Sequence, residues 1–326
     1  MNGGIGIIEM LKRTNILALV GGGEKPCFSP RKIIIWDDHQ GKIIGILLFN
    51  TEVLNVRMRN DKIFGVCENK IYIFNLNTLE TIQSLKTYNN PTGIIGISSG
   101  DFNKLMIAYP AENKGIVSFR NCIDSKSIKN SKIINAHESN LACISINNNG
   151  TILATSSENG TVIKIFDLSN GELLSTLRRG TKTVSMTCIS FSHNNIFLGC
   201  ISDVGTIHIF SIFNINKKLN EKNNNNNDET KKDIKNEIKS EINDEPKNRK
   251  SLLGKIGGIF NIPDHDRNFA KFKINDGYGL LSFGKENTIV VVTKKGKYIK
   301  AAFDPKNGGN CQSIDEKNIF KNRKSN

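Results

Sequence analysis

No stretch of this 326-residue chain reaches the roughly 18 consecutive apolar residues that a membrane-crossing helix needs. Met1 to Lys12 also lack the long apolar run of a secretory signal. A soluble protein is expected, with any membrane contact peripheral. Cysteine is sparse and dispersed: Cys27, Cys67, Cys122, Cys143, Cys188, Cys200 and Cys311, no two closer than 12 positions. No Cys-x-x-Cys pair or Cys/His cluster at zinc spacing occurs, so reduced thiols in a cytosolic protein are expected, several of them on buried strands. The five histidines, His39, His137, His193, His208 and His265, are scattered. The chain has no Gly-x-Ser-x-Gly, no His-Glu-x-x-His, no phosphate-binding Gly/Lys loop and no Gly-x-Gly-x-x-Gly after a strand. Gly21-Gly22-Gly23 follows an apolar strand but lacks the Lys-Ser/Thr end, and reads as a loop. Catalysis has no positive support, and neither a metal nor a cofactor is expected.

Hydrophobic residues make up 38% of the chain, enough for a core, and charged residues 23%. The formal net charge is +14, with a pI near 9.4. Such an excess attracts polyanions, whether nucleic acid or the anionic face of a membrane, and does not choose between them.

One pattern recurs. A short apolar strand leads through a tight polar turn into a second strand that ends on an aromatic. The aromatic-ended strands are Ile33-Ile34-Ile35-Trp36-Asp37, Ile71-Tyr72-Ile73-Phe74-Asn75, Ile116-Val117-Ser118-Phe119-Arg120, Ile163-Lys164-Ile165-Phe166-Asp167 and Ile207-His208-Ile209-Phe210-Ser211. Their starts are 38, 45, 47 and 44 residues apart. The turns ahead of them are hairpin material: Glu68-Asn69-Lys70, Asn159-Gly160, Asp203-Val204-Gly205 and, later, Lys295-Gly296. A period near 40 built from three or four short strands is the signature of propeller blades, because one small sheet cannot bury both its faces and a stacked series can. The expected fold is all-β, a β-propeller of four-stranded blades. Six blade-like units are visible, at about 4–40, 42–86, 92–135, 138–178, 182–215 and 268–305. Residues 1–310 are expected to form a single propeller, with 311–326 a polar tail.

The repeat breaks once, over an insertion at 214–267. Its first part, 214–250, contains Asn223 to Asn227 and mixed charge, ten Lys/Arg against eight Asp/Glu from Lys217 to Lys250. It cannot bury enough apolar surface to fold, and a disordered loop is expected. The segment 251–262 is different: Leu252, Leu253, Ile256, Ile259 and Phe260 surround Lys255. Either it enters a bilayer or it packs as a strand of the propeller.

Leu153 to Phe210 is the informative stretch. Ala154-Thr155-Ser156-Ser157-Glu158-Asn159-Gly160-Thr161 leads to Lys164, then come Leu177-Arg178-Arg179-Gly180 and Ser202-Asp203-Val204-Gly205-Thr206-Ile207-His208. Two arginines thus stand between two hydroxyl-rich hairpins on adjacent units. Neighbouring side chains of an extended segment point to opposite sides, so Arg178 should face the hairpin before it and Arg179 the hairpin after it. A guanidinium grips a phosphate bidentately, Ser and Thr add hydrogen bonds, and His adds a donor. Two adjacent anion pockets are one reading; a solvated Arg-Arg-Gly turn is the other.

The Leu177-Arg178-Arg179-Gly180 motif resembles the Phe/Leu-Arg-Arg-Gly hallmark of the PROPPIN (WIPI) family of WD-repeat-like propellers. The resemblance extends over most of the chain. It includes Leu17-Ala18-Leu19-Val20-Gly21-Gly22-Gly23-Glu24-Lys25-Pro26 with Ser29-Pro30-Arg31, and Val53 to Met58 with Ile71-Tyr72-Ile73-Phe74. It implies binding of phosphatidylinositol 3-phosphate and the 3,5-bisphosphate through two sites. The first would use Thr155, Ser157, Gly160, Thr161, Lys164 and Arg178; the second Arg179, Gly180, Ser202, Thr206 and His208. It also implies a sixth-blade loop that inserts into the bilayer, the place occupied here by the insertion with Leu252, Leu253, Ile256, Ile259 and Phe260. The family has seven blades, and its first-blade sequence is not visible in Met1 to Gly6. By resemblance the role is an effector or scaffold in autophagy and endolysosomal trafficking, recruiting lipid-transfer or conjugation machinery. The expected protein is a monomer at autophagosomal, endosomal or vacuolar membranes, or plastid membranes in a plastid-bearing parasite, with no nucleic acid bound. A WD-type scaffold whose basic rim holds an acidic protein or RNA is the competing function.

Overall fold

The computed structural model describes residues 3–59, 61–100, 104–123, 131–217, 219, 246, 248 and 266–320. The fold class is all-β, a β-propeller of six blades of four antiparallel strands, two of which gain a short parallel fifth strand. The chain divides into two compact units, Met1–Gly150 and Thr151–Asn326.

In the first unit, β1 (Ile5–Met10), β2 (Ile16–Gly21), β3 (Lys32–Asp37) and β4 (Lys42–Leu48) follow one another across one sheet. β5 (Asn55–Arg59), β6 (Lys62–Val66), β7 (Lys70–Asn75) and β8 (Thr81–Lys86) do the same in a second. β9 (Gly96–Ile97), β10 (Met106–Pro110), β11 (Ile116–Asn121) and β12 (Lys132–Asn135) form a third, and β13 (Leu141–Ile146) closes the unit. The aromatic-ended strands of the repeat are the third strands of their sheets. Phe74 and Phe119 are buried there, and Asp37 and Asn75 follow the aromatic for a local reason. Asp37 Oδ1 accepts from the amides of His39 and Gln40 at 3.0 and 3.1 Å, and Asn75 Oδ1 from those of Asn77 and Thr78 at 2.8 and 3.2 Å. Each side chain folds the backbone into the turn that brings the fourth strand back. The turn after Asp37 pairs Lys42 to Leu48 with β3, so this strand belongs to the first sheet and not to the second unit at 42–86.

In the second unit, β14 (Ile152–Ser157), β15 (Val162–Asp167) and β16 (Leu173–Arg178) are successive neighbours of the fourth sheet. β17 (Met186–Phe191), β18 (Phe197–Ser202) and β19 (Thr206–Ser211) begin the fifth. Beyond the insertion, β20 (Asp266–Arg267) lies parallel to the end of β16, and β21 (Ala270–Lys273) completes the fifth sheet beside β19. The fifth unit read at 182–215 is therefore three strands, and its fourth arrives from the far side of the insertion. Within the stretch expected to be disordered, Pro246 and Asn248 hold to the sheet: Ser211 Oγ donates to the Pro246 carbonyl at 2.8 Å, and Asn248 exchanges 2.6 and 2.7 Å bonds with the Ser211 backbone. The segment 251–262 lies outside the described residues.

The sixth sheet is β22 (Gly279–Phe283), β23 (Thr288–Thr293) and β24 (Lys297–Ala302), followed in chain order by β25 (Gly309–Asn310), which pairs parallel to β21, and β26 (Gln312–Asn318). β26 pairs antiparallel with β24 over most of its length, with Lys300 opposite Asp315 and Tyr298 opposite Lys317. Gln312–Asn318, within the residues read as a polar tail, thus form an edge strand. An edge strand needs no apolar alternation, and charges along it block pairing with other chains, which is why the segment carries no strand signal.

The second strands carry the core. β14 and β18 are buried at every residue, including Ser156, Thr155 and Ser202, because both faces of an inner strand are covered. Phe197, Ile207, Ile209, Ala270, Leu281, Ile289, Val291 and Ile299 form one apolar cluster between the fifth and sixth sheets.

Candidate functional site

All eleven residues proposed for headgroup contact fall in the second unit. Strand register sorts them. Thr155 is opposite Lys164, and Lys164 opposite Thr176, so the three share a face of the fourth sheet. Ser157 and Arg178 lie two positions on along β14 and β16 and share that face. Leu177, fully buried, points the other way with Ser156 and Ile163. The register thus places Arg178, Lys164, Thr155 and Ser157 together, as an alternating strand requires.

Gly160 makes the β14–β15 turn. Its φ is +59°, and a Cβ there would lie 2.1 Å from the Val184 carbonyl oxygen, so the left-handed turn and the close approach both demand glycine. Its amide donates to the Ser157 carbonyl at 2.9 Å. Its own carbonyl accepts from Arg179 Nε at 2.8 Å, and the Arg179 terminal nitrogen donates to the Lys182 carbonyl. The Arg179 and Gly180 amides both donate to the Thr161 carbonyl, at 2.9 and 3.3 Å. Backbone carbonyls therefore hold the Arg179 guanidinium itself, through Nε and one terminal nitrogen. Gly180 differs from Gly160: a Cβ at this position would meet nothing within 4 Å.

Arg179 acts on the fifth sheet. Burial pulls its guanidinium down from the ordinary value, and the neighbouring Cys200 and Asp203 pull it up. Cys200 is opposite His208, and Ser202 and Thr206 lie two positions away on the same face. Burial pushes the His208 imidazole down to about 4; Arg179 and Lys271 add to this, and Asn268 opposes it. His208 also stacks on Phe210, with ring centroids 6.4 Å apart. Gly205, at φ +71°, closes the β18–β19 hairpin, and Asp203 Oδ1 accepts from the Ser185 amide at 3.2 Å.

Two polar atoms on this face are buried without a hydrogen-bond partner among the described residues: Ser202 Oγ and His208 Nδ1. A stranded buried polar atom costs about 1–3 kcal/mol. Thr155, Ser157 and Ser202 are buried, and Thr206 and His208 are half-buried. Thr206→Ala is expected to change stability by less than about 0.5 kcal/mol, and thermal melting beside a headgroup-binding curve checks it.

The sequence reading missed Lys271 and Lys273. β21 sets Lys271 opposite His208 and Lys273 opposite Thr206, and Lys273 Nζ reaches the Val204 carbonyl and, at 3.4 Å, Thr206 Oγ1. The signal was present as the alternation Ala270-Lys271-Phe272-Lys273, but some 55 residues of insertion separate it from its neighbour strand. Leu252, Leu253, Ile256, Ile259 and Phe260 lie outside the described residues. Among the described residues, no group of three or more His, Cys, Asp or Glu could hold a metal ion.

The comparisons agree in direction. Autophagy-related protein 18 of Komagataella pastoris is 32% identical over 242 residues, 64% of this chain and 44% of that protein. Autophagy-related protein 18e of Arabidopsis thaliana is 27% identical over 319 residues, 97% of this chain and 77% of that protein. A solved complex of KlAtg21 with the coiled-coil of AgAtg16 has the same fold at TM-score 0.68 and 20% identity, covering 97% of this chain and 85% of that one. The PROPPIN family model matches residues 5–320. By that match, which takes in all six sheets and the Arg178-Arg179 turn, the chain belongs to the PROPPIN family.

Proposed function

We propose that this chain is a non-catalytic phosphoinositide-binding protein, a single propeller that recognises phosphatidylinositol 3-phosphate, the 3,5-bisphosphate, or both, at the surface of autophagy-related membranes. The observation that carries the reading is the divergence of two adjacent guanidiniums. Arg178 shares a face with Lys164, Thr155 and Ser157, whereas Arg179 lies beside Asp203, Cys200 and His208. Two weak sites on one rigid scaffold act together, because the second binds at high effective concentration once the first is filled. Recruitment of autophagy machinery, of the kind present in the coiled-coil complex of a structural relative, belongs to the same proposal.

Flotation with liposomes of defined phosphoinositide composition tests it. Binding that tracks the 3-phosphate and the two arginines supports the reading. Binding that tracks total charge and salt alone, with RNA competing, favours the basic-rim scaffold and overturns it.

The imidazole adds a pH dependence. His208 is neutral at pH 7, and a bound phosphate favours its protonated form. Headgroup binding is therefore expected to tighten as pH falls from 7 towards 5. His208→Gln should abolish that dependence, which separates it from titration of the lipid phosphate. Without ligand the linkage runs the other way. The unfolded chain binds the proton near pH 6.5 and the folded chain only near 4, so stability is full above 6.5 and falls by about 3 kcal/mol as pH drops through that window.

Leu252, Leu253, Ile259 and Phe260 are proposed to add insertion on bilayers. Replacing them with Ser should reduce retention on liposomes while soluble headgroup binding persists. Equal retention would remove insertion from the mechanism and leave the arginines in place.

A further inference from the structure

We infer that Lys271 and Lys273 set the number of phosphates read beside Arg179, by presenting two ammonium groups that hold an additional phosphate of the headgroup. The inference rests on the phosphoinositide reading above and deepens it. β21 lies between β19 and the short β25 in the fifth sheet, and its pairing with β19 decides where these side chains stand. Lys271 is opposite His208 and Lys273 opposite Thr206, so both project from the face that carries Ser202, Thr206 and His208. Ala270 and Phe272 alternate with them toward the other face, where Ala270 is fully buried in the cluster shared with the sixth sheet and Phe272 packs against it. The strand therefore cannot rotate its lysines away without exposing that core. Lys271 is close enough to His208 to weigh on its charge, and Lys273 Nζ is parked on the Val204 carbonyl and Thr206 Oγ1 at the hairpin mouth.

On the face of Arg178 stands Lys164, and β20 sets Arg267 opposite Arg178. The face beside Arg179 carries Lys271 and Lys273, and His208 becomes a third when protonated. The acid weighing on Arg179 is Asp203, whose carboxylate already caps the Ser185 amide. The buried Ser202 Oγ and His208 Nδ1, both without hydrogen-bond partners among the described residues, lie on this same face and supply the uncharged part of the site. Lysine suits the task as a point charge on a flexible stem, able to reach a second phosphate whose position differs between headgroups.

The test isolates the second pocket by using the full chain with Arg178→Thr. Titration calorimetry then compares inositol 1,3-bisphosphate with inositol 1,3,5-trisphosphate, the soluble headgroups of the mono- and bisphosphorylated lipids. Inorganic phosphate serves as the control for a site that takes any phosphate. The trisphosphate should bind tighter by on the order of tenfold, one charge-assisted contact. Lys271→Gln with Lys273→Gln should erase that difference and leave the bisphosphate affinity within about twofold. Both lysines are exposed, so the fold should not change. A preference that survives the double substitution overturns the inference, as does an equal loss for both headgroups, since that reports only general charge. Inorganic phosphate binding as tightly as either headgroup also overturns it. If the unmutated chain binds neither soluble headgroup nor phosphatidylinositol 3-phosphate vesicles, the phosphoinositide reading itself has failed, an outcome distinct from all of these.

Discussion

Arg178→Thr combined with Arg179→Thr is expected to abolish binding to phosphatidylinositol 3-phosphate liposomes while the protein remains folded. The two arginines reach different faces, so each single substitution should leave one pocket and give intermediate flotation. The singles should differ in stability. Nothing described ties the Arg178 side chain to the fold, and its loss should be nearly silent in a melting curve. Arg179 Nε donates to the Gly160 carbonyl at 2.8 Å, and its terminal nitrogen to the Lys182 carbonyl. Replacing Arg179 should therefore cost about 1–2 kcal/mol, since those carbonyls can turn to water at the surface. In binding, losing a bidentate charged contact at each pocket, and with it the gain from simultaneous engagement, amounts to a factor of about 100 or more. A double variant that floats as well as the unmutated chain, at matched salt, would remove both arginines from the site.

Gly160→Ala is expected to have the largest effect on stability of any single substitution at the site. At φ +59° an L-residue is strained by roughly 1–2 kcal/mol. The added Cβ would also lie 2.1 Å from the Val184 carbonyl oxygen, a backbone atom that cannot swing aside. The turn must then open, and it carries the Gly160 carbonyl that seats Arg179 and the Asn159 carbonyl that accepts from the Val184 amide. A loss of about 3 kcal/mol or more is expected, a fall of several degrees in melting temperature, together with weaker binding. Gly180→Ala is the control. It meets nothing within 4 Å, so stability should hold within about 0.5 kcal/mol. If both glycine variants melt alike, the steric argument at the β14–β15 turn is wrong.

The blade repeat was legible because several units solve the same problem with the same kinds of residue. An aromatic at the end of the third strand fills the core, and the Asp or Asn after it caps the returning turn, as Asp37, Asn75 and Asp167 do. The division of Arg178 from Arg179 was legible too, since alternation is a property of any extended chain. Local chemistry alone suffices for both. Three features were not legible, for one reason: each depends on which strands become neighbours. β26 reads as a polar tail because an edge strand facing solvent needs no apolar period, and only its pairing with β24 makes it structure. The burial of Thr155, Ser157 and Ser202 follows from sheets covering both faces of β14 and β18, which no local pattern of hydroxyls announces. Lys271 and Lys273 stand opposite His208 and Thr206 because β21 returns across the insertion to pair with β19. The sequence by itself determined the repeat, the turns and the opposed arginines, all set by contacts between residues near in the chain. The tertiary structure alone decided which hydroxyls lost their water and which lysines joined them, because burial and charge proximity arise only when strands distant in sequence are brought side by side.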